Sequence, residues 1–356
     1  MAQLDGLIKE LCPNGVEYKK LSDVLTIRNG KDYKSFAEGS IPVYGSGGIM
    51  TYIDHFAYDK PSVLIPRKGS LDKLYYVDVP FWTVDTIFYT VIDTKIVEPK
   101  YIFYVLQKEH LEKLNKAGGV PSLTQAVISK VKIPVPPLPV QREIVRILDN
   151  FTELTTELTT ELTARKQQYA YYRDKLLAFG DDVPKDTLEN LCDFQYGKGN
   201  SIPTAPGEYP VYGCNGVVGT TNVFNSIDAP VIGHIGSAGI VNWGKGKHFV
   251  TYNGTICKVR PEKMISRYAY HLLCSLHLER FVKGSQPFLS YSDFAKETVS
   301  VPPLNIQQRV VSILDRFDTL CNDLTKGLPA EIEARQKQYE YYRDKLLAFK
   351  ELDNCE

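Results

Sequence analysis

The feature that most constrains this chain is an internal repeat of about half its length. The segment VPPLPVQREIVRILDNF (135–151) returns as VPPLNIQQRVVSILDRF (301–317). Further along, QYAYYRDKLLAF (168–179) returns as QYEYYRDKLLAF (338–349). The chain is therefore a tandem duplication, and we expect its fold to contain the same structural unit twice.

The residues that precede these copies match more weakly but occur in the same order. The corresponding pairs are IPVYGSGG (41–48) with YPVYGCNG (209–216), RKGS (67–70) with HIGS (234–237), and GGVPSLT (118–124) with KGSQPFLS (283–290). Each half thus joins a diverged first part to a nearly identical second part. That combination indicates one task carried out twice on two different targets.

The diverged parts have the pattern of mixed α/β domains. Short apolar or aromatic runs, interrupted by Gly, Pro and Asn, predict strands at 61–66, 81–92, 229–235 and 249–259. Each part also holds one helical stretch, at 101–114 and 267–281. We predict an α+β fold with four regions, which are a globular domain at 1–135, a helical region at 136–180, a second globular domain at 181–300 and a distal helical region at 301–356.

The nearly identical parts predict long helices. Between Pro139 and Phe179 there is no Gly or Pro, and apolar residues recur at spacings of three and four. Because one long exposed helix cannot stand alone, we expect the two helices to pack antiparallel as a coiled coil that holds the globular domains apart about a pseudo-twofold axis. In the second helix, Gly327 and Pro329 predict a break near 326–329.

Inside the first helix, the segment ELTTELTTELTA (153–164) repeats every four residues. Leu154, Leu158 and Leu162 recur at this spacing, and we interpret the segment as a coiled-coil spacer. One four-residue unit is about 6 Å of helix, so a gained or lost unit changes the distance between the globular domains.

A set of aromatic and apolar residues occurs in both copies of the helix end. It has two interpretations, which are packing between the helices and docking of a partner protein. The set is Tyr169, Tyr172, Leu176, Phe179, Tyr339, Tyr342, Leu346 and Phe349.

The cysteines and histidines form no recognisable disulfide or metal motif. The seven cysteines are scattered and include no C-x-x-C pair, which favours reduced thiols in a cytosol. His271, Cys274 and His277 lie three residues apart, and this spacing spreads them around a helix. We therefore expect an ordinary half-buried helix there and no metal site.

No catalytic motif is visible either. The segment GIVNWGKG (239–246) comes nearest to a phosphate-binding loop, but Gly246 takes the place of the required Ser or Thr. We expect this segment to form a hairpin turn. Near the N-terminus, Asp5, Lys9 and Glu10 stand where a signal peptide needs an apolar run, so we expect the protein to stay in the compartment where it is made.

The charges balance over the whole chain but not within its regions. Residues 1–135 hold 17 basic and 15 acidic side chains, and residues 183–300 hold 11 and 9. The helical regions are slightly acidic instead. Slightly basic globular domains are compatible with nucleic-acid contact, although an excess this small does not prove it.

The pattern PPLPxQxxIVxILDxF, the TELTTELTTELTARKQQY spacer and the duplicated YYRDKLLAF resemble, over the whole chain, the specificity subunits of type I restriction–modification systems. The resemblance implies two target-recognition domains and no catalytic residues in this chain. Each domain would read one half of a bipartite, gapped sequence in double-stranded DNA, and the helices would set the gap.

The resemblance also implies partners and a location. Two methyltransferase subunits would dock on the helices and adjacent domain surfaces, and restriction subunits would join the assembly. S-adenosylmethionine, ATP and Mg²⁺ would belong to those partner subunits, and the complex would work in bacterial or archaeal cytoplasm without a membrane. Two alternatives stay open, which are the specificity subunit of a solitary methylase-type system and a coiled-coil scaffold that binds no DNA.

Polar residues beside glycines in the diverged loops are the candidates for DNA contact, because their donors and acceptors match those of base edges in the major groove. In the first domain they are Ser46, Gly47, Gly48, Arg67, Lys68, Ser122, Thr124 and Gln125, and in the second they are Asn215, His234, Ser237, Asn253, Gln286, Ser290 and Tyr291. The alternative for each is a turn residue that satisfies its own backbone.

Overall fold

The structure is a computed structural model that describes residues 2–115, 122–199, 206–323 and 326–352. Its α-helices are α1 (Ala2–Leu11), α2 (Leu21–Val24), α3 (Pro99–Glu109), α4 (Gln125–Ile128), α5 (Leu138–Leu177), α6 (Leu188–Leu191), α7 (Ser266–Ser275), α8 (Leu304–Asn322) and α9 (Leu328–Leu346). Short 3₁₀ helices occur at Leu111–Leu114, Leu278–Phe281 and Tyr291–Asp293. None of the helices described is long and apolar enough to cross a membrane.

The strands are short and fall into two groups separated by α5. Those before it are β1 (Tyr18–Lys20), β2 (Leu25–Asn29), β3 (Glu38–Gly45), β4 (Gly48–Ile53), β5 (Ser62–Pro66), β6 (Tyr75–Val77), β7 (Trp82–Thr83), β8 (Ile87–Ile92) and β9 (Lys132–Pro134). Those after it are β10 (Lys185–Thr187), β11 (Cys192–Tyr196), β12 (Tyr209–Gly213), β13 (Gly216–Thr221), β14 (Ser226–Gly233), β15 (Val241–Val250), β16 (Gly254–Val259) and β17 (Thr298–Ser300).

The chain divides into two compact units, and the divisions fall inside helices. The first unit comprises Met1–Glu157 and Ile332–Glu356, and the second comprises Leu158–Glu331. Each unit therefore combines one globular domain with segments of both helical regions. The first unit is discontinuous in sequence, and its two segments join where the N–H of Val16 donates to the carbonyl of Lys350 at 2.9 Å.

In the first unit, β2-β8-β5-β6 form a four-stranded sheet, and β4-β3-β7 form a three-stranded one. Strand β5 is buried along its whole length, and α3 packs on it. The core between them includes Val63, Phe88 and Tyr101, together with Leu148 from α5 and Leu347 beyond α9. Burial of these apolar side chains supplies most of the unit's stability.

The second unit repeats this design with one difference. Six of its strands form one sheet of order β11-β16-β14-β15-β12-β13, in which β15 is unbroken. In the first unit the corresponding stretch is split into β6 and β7. Pro80 of the first unit is equivalent to Lys247 of β15, which pairs with Ile227 of β14 in the second unit. Because proline has no N–H to donate to a neighbouring strand, the strand is interrupted.

The predicted helices are confirmed. Helix α5 is a single helix of 40 residues. The second helical region is interrupted, because α8 ends at Asn322 and α9 begins at Leu328 with Pro329 in its first turn. The break predicted near 326–329 is therefore confirmed, and proline at that place fits a helix start.

The hairpin turn predicted at 239–246 is confirmed only at its start, because Gly239 and Ile240 lie in the connection between the antiparallel strands β14 and β15. From Val241 onward this segment belongs to β15 and pairs with β14. Lys245 and Gly246, which has a φ of 61°, form a bulge in β15 opposite the single residue Asp228, whose carboxylate accepts the Gly246 N–H at 2.7 Å. The bulge uses the glycine that sequence reasoning assigned to a turn.

Candidate nucleic-acid interface

Three predicted loops converge in the first unit. They are the β3–β4 hairpin, the loop after β5 and the loop before α4. The N–H of Leu123 donates to the carbonyl of Arg67 at 2.9 Å, which joins the second loop to the third. Gly69 has a φ of 79° and passes so close to the hairpin that an added Cβ atom would stand 3.3 Å from the Ser46 hydroxyl.

The second unit brings the equivalent loops together in the same way. The N–H of Leu289 donates to the carbonyl of His234 at 2.9 Å, and the N–H of His234 donates to the carbonyl of Asn253 at 2.8 Å. Gly236, with a φ of 84°, passes the β12–β13 hairpin at Cys214. The candidate residues of each domain therefore form one cluster within their own unit.

The candidates differ in access to solvent. Exposed are Gly47, Lys68, Thr124, Asn215 and Gln286. Half-buried are Ser46, Gly48, Arg67, Ser122, Gln125, Ser237, Asn253, Ser290 and Tyr291. Their role in DNA contact stays a prediction, and the exposed members are best placed for it.

His234 does not fit the prediction that it contacts bases. Its side chain is 1% exposed. Its ring lies 4.2 Å from the ring of Tyr196 and 4.7 Å from that of Phe288, and its Nδ1 lies 2.7 Å from the carbonyl oxygen of Leu289. His234 is therefore a packing group beneath the loop surface, because neighbouring rings cover the atoms that would face a base edge.

Arg67 is held in a defined position at the surface of the first domain. Its guanidinium carbon lies 5.2 Å from the centre of the Phe88 ring. Its Nε is buried without a hydrogen-bond partner among the described residues. Beside it, Lys68 Nζ lies 3.5 Å from a carboxylate oxygen of Asp85. This arrangement keeps a planar donor group in the loop cluster, where it suits paired acceptors such as those of guanine.

We expect Arg67→Ala to weaken binding to the cognate DNA site about ten-fold or more, and to relax base preference in only one half of that site. The measurement is fluorescence anisotropy of the assembled complex on cognate and random duplexes. Arg142→Ala, an exposed arginine of α5, is the matched control. Equal losses on both duplexes would instead make Arg67 a phosphate contact.

A buried glutamine fixes each globular domain to its helix. Gln141 of α5 and Gln307 of α8 occupy the same position in the two repeats, and both are fully buried. The Gln141 amide accepts from the N–H of Glu98 at 2.8 Å and donates to the carbonyls of Ile96 at 3.0 Å and Pro136 at 2.7 Å. The matching partners of Gln307 are the N–H of Ile265 (2.9 Å) and the carbonyls of Lys263 (2.9 Å) and Pro302 (2.8 Å).

A cation between aromatic rings and carboxylates makes a second anchor in the second unit. Arg267 of α7 donates through Nε to Asp315 of α8 at 2.7 Å and also bonds Asp318. Its guanidinium carbon lies 4.9 Å from the centre of the Trp243 ring and 4.5 Å from that of Tyr270. The contacts join strand β15, α7 and α8.

The first unit has the same anchor with a different cation. Lys100 of α3 donates to Asp149 of α5 at 2.8 Å, and its Nζ lies 5.6 Å from the centre of the Tyr76 ring. Tyr104 donates to the same carboxylate at 2.5 Å. The two carboxylates occupy equivalent positions, in the sequences LDNF and LDRF.

His271 completes the anchor of the second unit. Burial lowers its pKa, so its imidazole is neutral at neutral pH. A carboxylate only accepts, so Nε2 of His271 donates to Asp315 at 2.7 Å, and Nδ1 accepts from the Tyr169 hydroxyl at 2.9 Å. Burial alone would raise the pKa of Asp315, but hydrogen bonds from His271 and Arg267 outweigh it and keep that pKa below its ordinary value.

The duplicated aromatic residues pack inside their own units. Tyr172 stacks on Phe317 at 5.6 Å in the second unit, and Tyr342 stacks on Phe151 at 5.3 Å in the first. Tyr339 donates to Gln107 of α3 at 2.6 Å, and burial raises its pKa to about 12. Leu176, Phe179, Leu346 and Phe349 line the same cores. The sequence offered packing between the helices as one interpretation of these residues, but it did not indicate their contacts with the globular domains.

The spacer is more exposed than its leucine pattern indicates. Leu154 is exposed, Leu158 is half-buried, and Leu162 packs partly against the core of the second unit. Its threonines donate their hydroxyl protons to carbonyls four residues earlier, as Thr155 does to Phe151 at 2.9 Å. These local bonds satisfy the polar side chains within the helix itself.

One tyrosine of each duplicated segment points outward. Tyr171 is 61% exposed and Tyr341 is 62% exposed. Lys175 Nζ lies 5.8 Å from the Tyr171 ring, and Lys345 Nζ lies 6.0 Å from the Tyr341 ring. Each unit therefore presents the same cationic and aromatic surface on its helix.

The anchoring residues were missed by sequence reasoning, although a signal was available. Gln141 with Gln307 and Asp149 with Asp315 are identical pairs at matched positions of the repeat. The described residues contain no group of three or more His, Cys, Asp or Glu side chains placed to hold a metal ion.

A comparison with known protein families gives two matches, one in each copy of the repeat. Residues 13–165 and 182–334 each match the family described as the type I restriction modification DNA specificity domain. The chain belongs to this family. Each specificity-domain match begins in a globular domain and ends in the helical region that follows it.

Relatives in the specificity family align over most of the chain, to different extents. The specificity subunit of the type I restriction enzyme EcoR124I/EcoR124II from Escherichia coli is 32% identical over 392 aligned positions, which cover 97% of this chain and 96% of that protein. The MpnII specificity subunit from Mycoplasma pneumoniae is 30% identical, and the alignment covers 65% of this chain and 92% of that protein.

A solved structure of the family shares the fold. The crystal structure of the type I restriction–modification S subunit from M. genitalium matches with a TM-score of 0.65 at 18% identity, over 94% of this chain and 96% of that one. The predicted α+β class with tandem domains is thus confirmed.

Proposed function

We propose that this specificity subunit directs DNA modification to a bipartite, gapped sequence and that each globular domain reads one half of it. The observation that carries the proposal is a contrast between two parts of each unit. The frame, by which we mean the contacts that anchor the globular domain to its helix, is the same in both units, whereas the loops differ. The glutamine and carboxylate anchors recur in both units. Matched loop side chains differ, as Arg67 and Ser122 do from His234 and Phe288. Two modules that hold different loops on one frame suit the reading of two different sequences.

The helices would set the gap and carry the partner subunits. The exposed pairs of Tyr171 with Lys175 and Tyr341 with Lys345 give each unit the same surface, as two copies of one partner require. We place one methyltransferase subunit on each surface, with restriction subunits joining the assembly. Catalysis, S-adenosylmethionine, ATP and Mg²⁺ would belong to those partners, and the complex would act in the cytoplasm.

The test is single-molecule methylation sequencing of DNA from cells that express this chain with its methyltransferase partner. We expect a methyladenine motif made of two short sequences separated by a fixed, unspecified gap. A verified, assembled complex that leaves no such motif would contradict the proposal and favour the scaffold alternative.

A further inference from the structure

At six equivalent positions of the loop cluster, the two units carry side chains of different chemistry. The equivalence rests on the backbone, because Leu123 bonds to Arg67 as Leu289 bonds to His234, each at 2.9 Å. Six matched positions carry polar or charged side chains in the first unit, namely Asn29, Arg67, Lys68, Asp85, Ser122 and Gln125. The same positions carry aromatic or aliphatic side chains in the second unit, namely Tyr196, His234, Ile235, Tyr252, Phe288 and Tyr291.

In the first unit these side chains form a polar surface. Gln125 Nε2 donates to Asn29 Oδ1 at 3.2 Å, and Lys68 Nζ lies 3.5 Å from Asp85. Lys68 also forms an isolated β-bridge with Ser122, so the third loop lies beside the second. The donors and acceptors of this cluster are partly exposed.

In the second unit the same place is a cluster of rings around His234. The ring of Tyr252 lies 5.5 Å from that of His234, and the rings of Tyr196 and Tyr291 are 5.1 Å apart. The isolated bridge here joins Ile235 to Phe288, matching the bridge of the first unit. The outer rings face solvent, because Tyr252 is 41% exposed and Phe288 is 39% exposed.

We infer that the ring cluster of the second domain makes apolar contact with thymine methyl groups of its half-site, whereas the matched side chains of the first domain offer hydrogen bonds and charge. This inference rests on the proposed function. The thymine methyl is the apolar group that bases display in the major groove, so an exposed ring cluster has a matching partner there. Burying one methyl group against a ring strengthens binding about four-fold.

The test is a scan of the cognate duplex in which each thymine in turn is replaced by deoxyuridine, which lacks only the methyl group. Binding of the assembled complex is measured by fluorescence anisotropy. We expect a loss of about four-fold at one or more positions of a single half-site and no loss in the other. Phe288→Ala and Tyr252→Ala should each bind the thymine duplex more weakly and lose the response to deoxyuridine.

Two controls separate this effect from general damage to the fold. Phe288→Leu keeps an apolar side chain and should keep the response to deoxyuridine. Phe224→Ala removes an exposed ring of the same unit outside the cluster and should change neither property. Suppose that a bipartite motif is found. The inference would be overturned if the complex bound the deoxyuridine duplexes as tightly as the thymine duplex, or if both alanine variants kept the response to deoxyuridine. Either result would leave the proposed function standing. Absence of a bipartite motif would overturn both.

Discussion

Deleting one ELTT unit, residues 153–156, is expected to lower methylation of the original DNA site more than about 100-fold and to create a new site with the same half-sequences and a shorter gap. The deletion removes about 6 Å of helix and about 40° of rotation beyond one full turn. Because the deleted unit is followed by an identical one, the remaining leucines of the segment keep their four-residue spacing. A half-site displaced by one or two base pairs is mismatched at several positions, and each mismatched base pair costs about 1–3 kcal/mol. Methylation sequencing of the variant reads both sites at once.

The matched control replaces Thr155 and Thr156 with alanine and keeps the length. Their hydroxyls donate to the carbonyls of Phe151 and Thr152 within the same helix, so alanine removes no contact with another element through these bonds. Alanine also favours the helix. This variant should methylate the original site. If the deletion variant kept the original gap, the spacer would have no part in setting it.

Gln307→Leu is expected to lower the free energy of unfolding of the second unit by about 3 kcal/mol. The substitution leaves one N–H and two carbonyls without their partner, at a position that is fully buried. A buried polar backbone group without a partner costs about 1–3 kcal/mol, and leucine cannot replace any of the three bonds. Urea denaturation of the full chain measures the loss, and hydrogen exchange at α7 and β17 locates it.

Gln308→Leu provides the control, because Gln308 is the next residue on the same helix and is exposed. It should leave both measurements unchanged. Gln141→Leu should lower the stability of the first unit by a similar amount, and the amide hydrogens of α3 should then exchange faster. Equal stability of Gln307→Leu and the unsubstituted chain would show that the glutamine does not fix the domain to its helix.

Local and repeated features were predictable from the sequence. The length of α5 followed from the absence of Gly and Pro, and the break before α9 followed from Gly327 and Pro329. The anchors were not predicted, because Gln141 bonds to Glu98, which is 43 residues away, and no local periodicity encodes that pairing. His234 was misassigned because a polar residue beside a glycine indicates a loop but not whether the loop side chain is covered.

The discontinuity of the first unit has a consequence for how the chain acquires its structure. The second unit is one continuous segment, Leu158–Glu331, so all of its contacts can form once that segment has left the ribosome. The first unit needs α9, and its hydrogen bond from Tyr18 to the carbonyl of Phe349 spans 331 residues. Closing so long a loop is slow and entropically costly. The half of the protein that is synthesised first is therefore the half that finishes folding last.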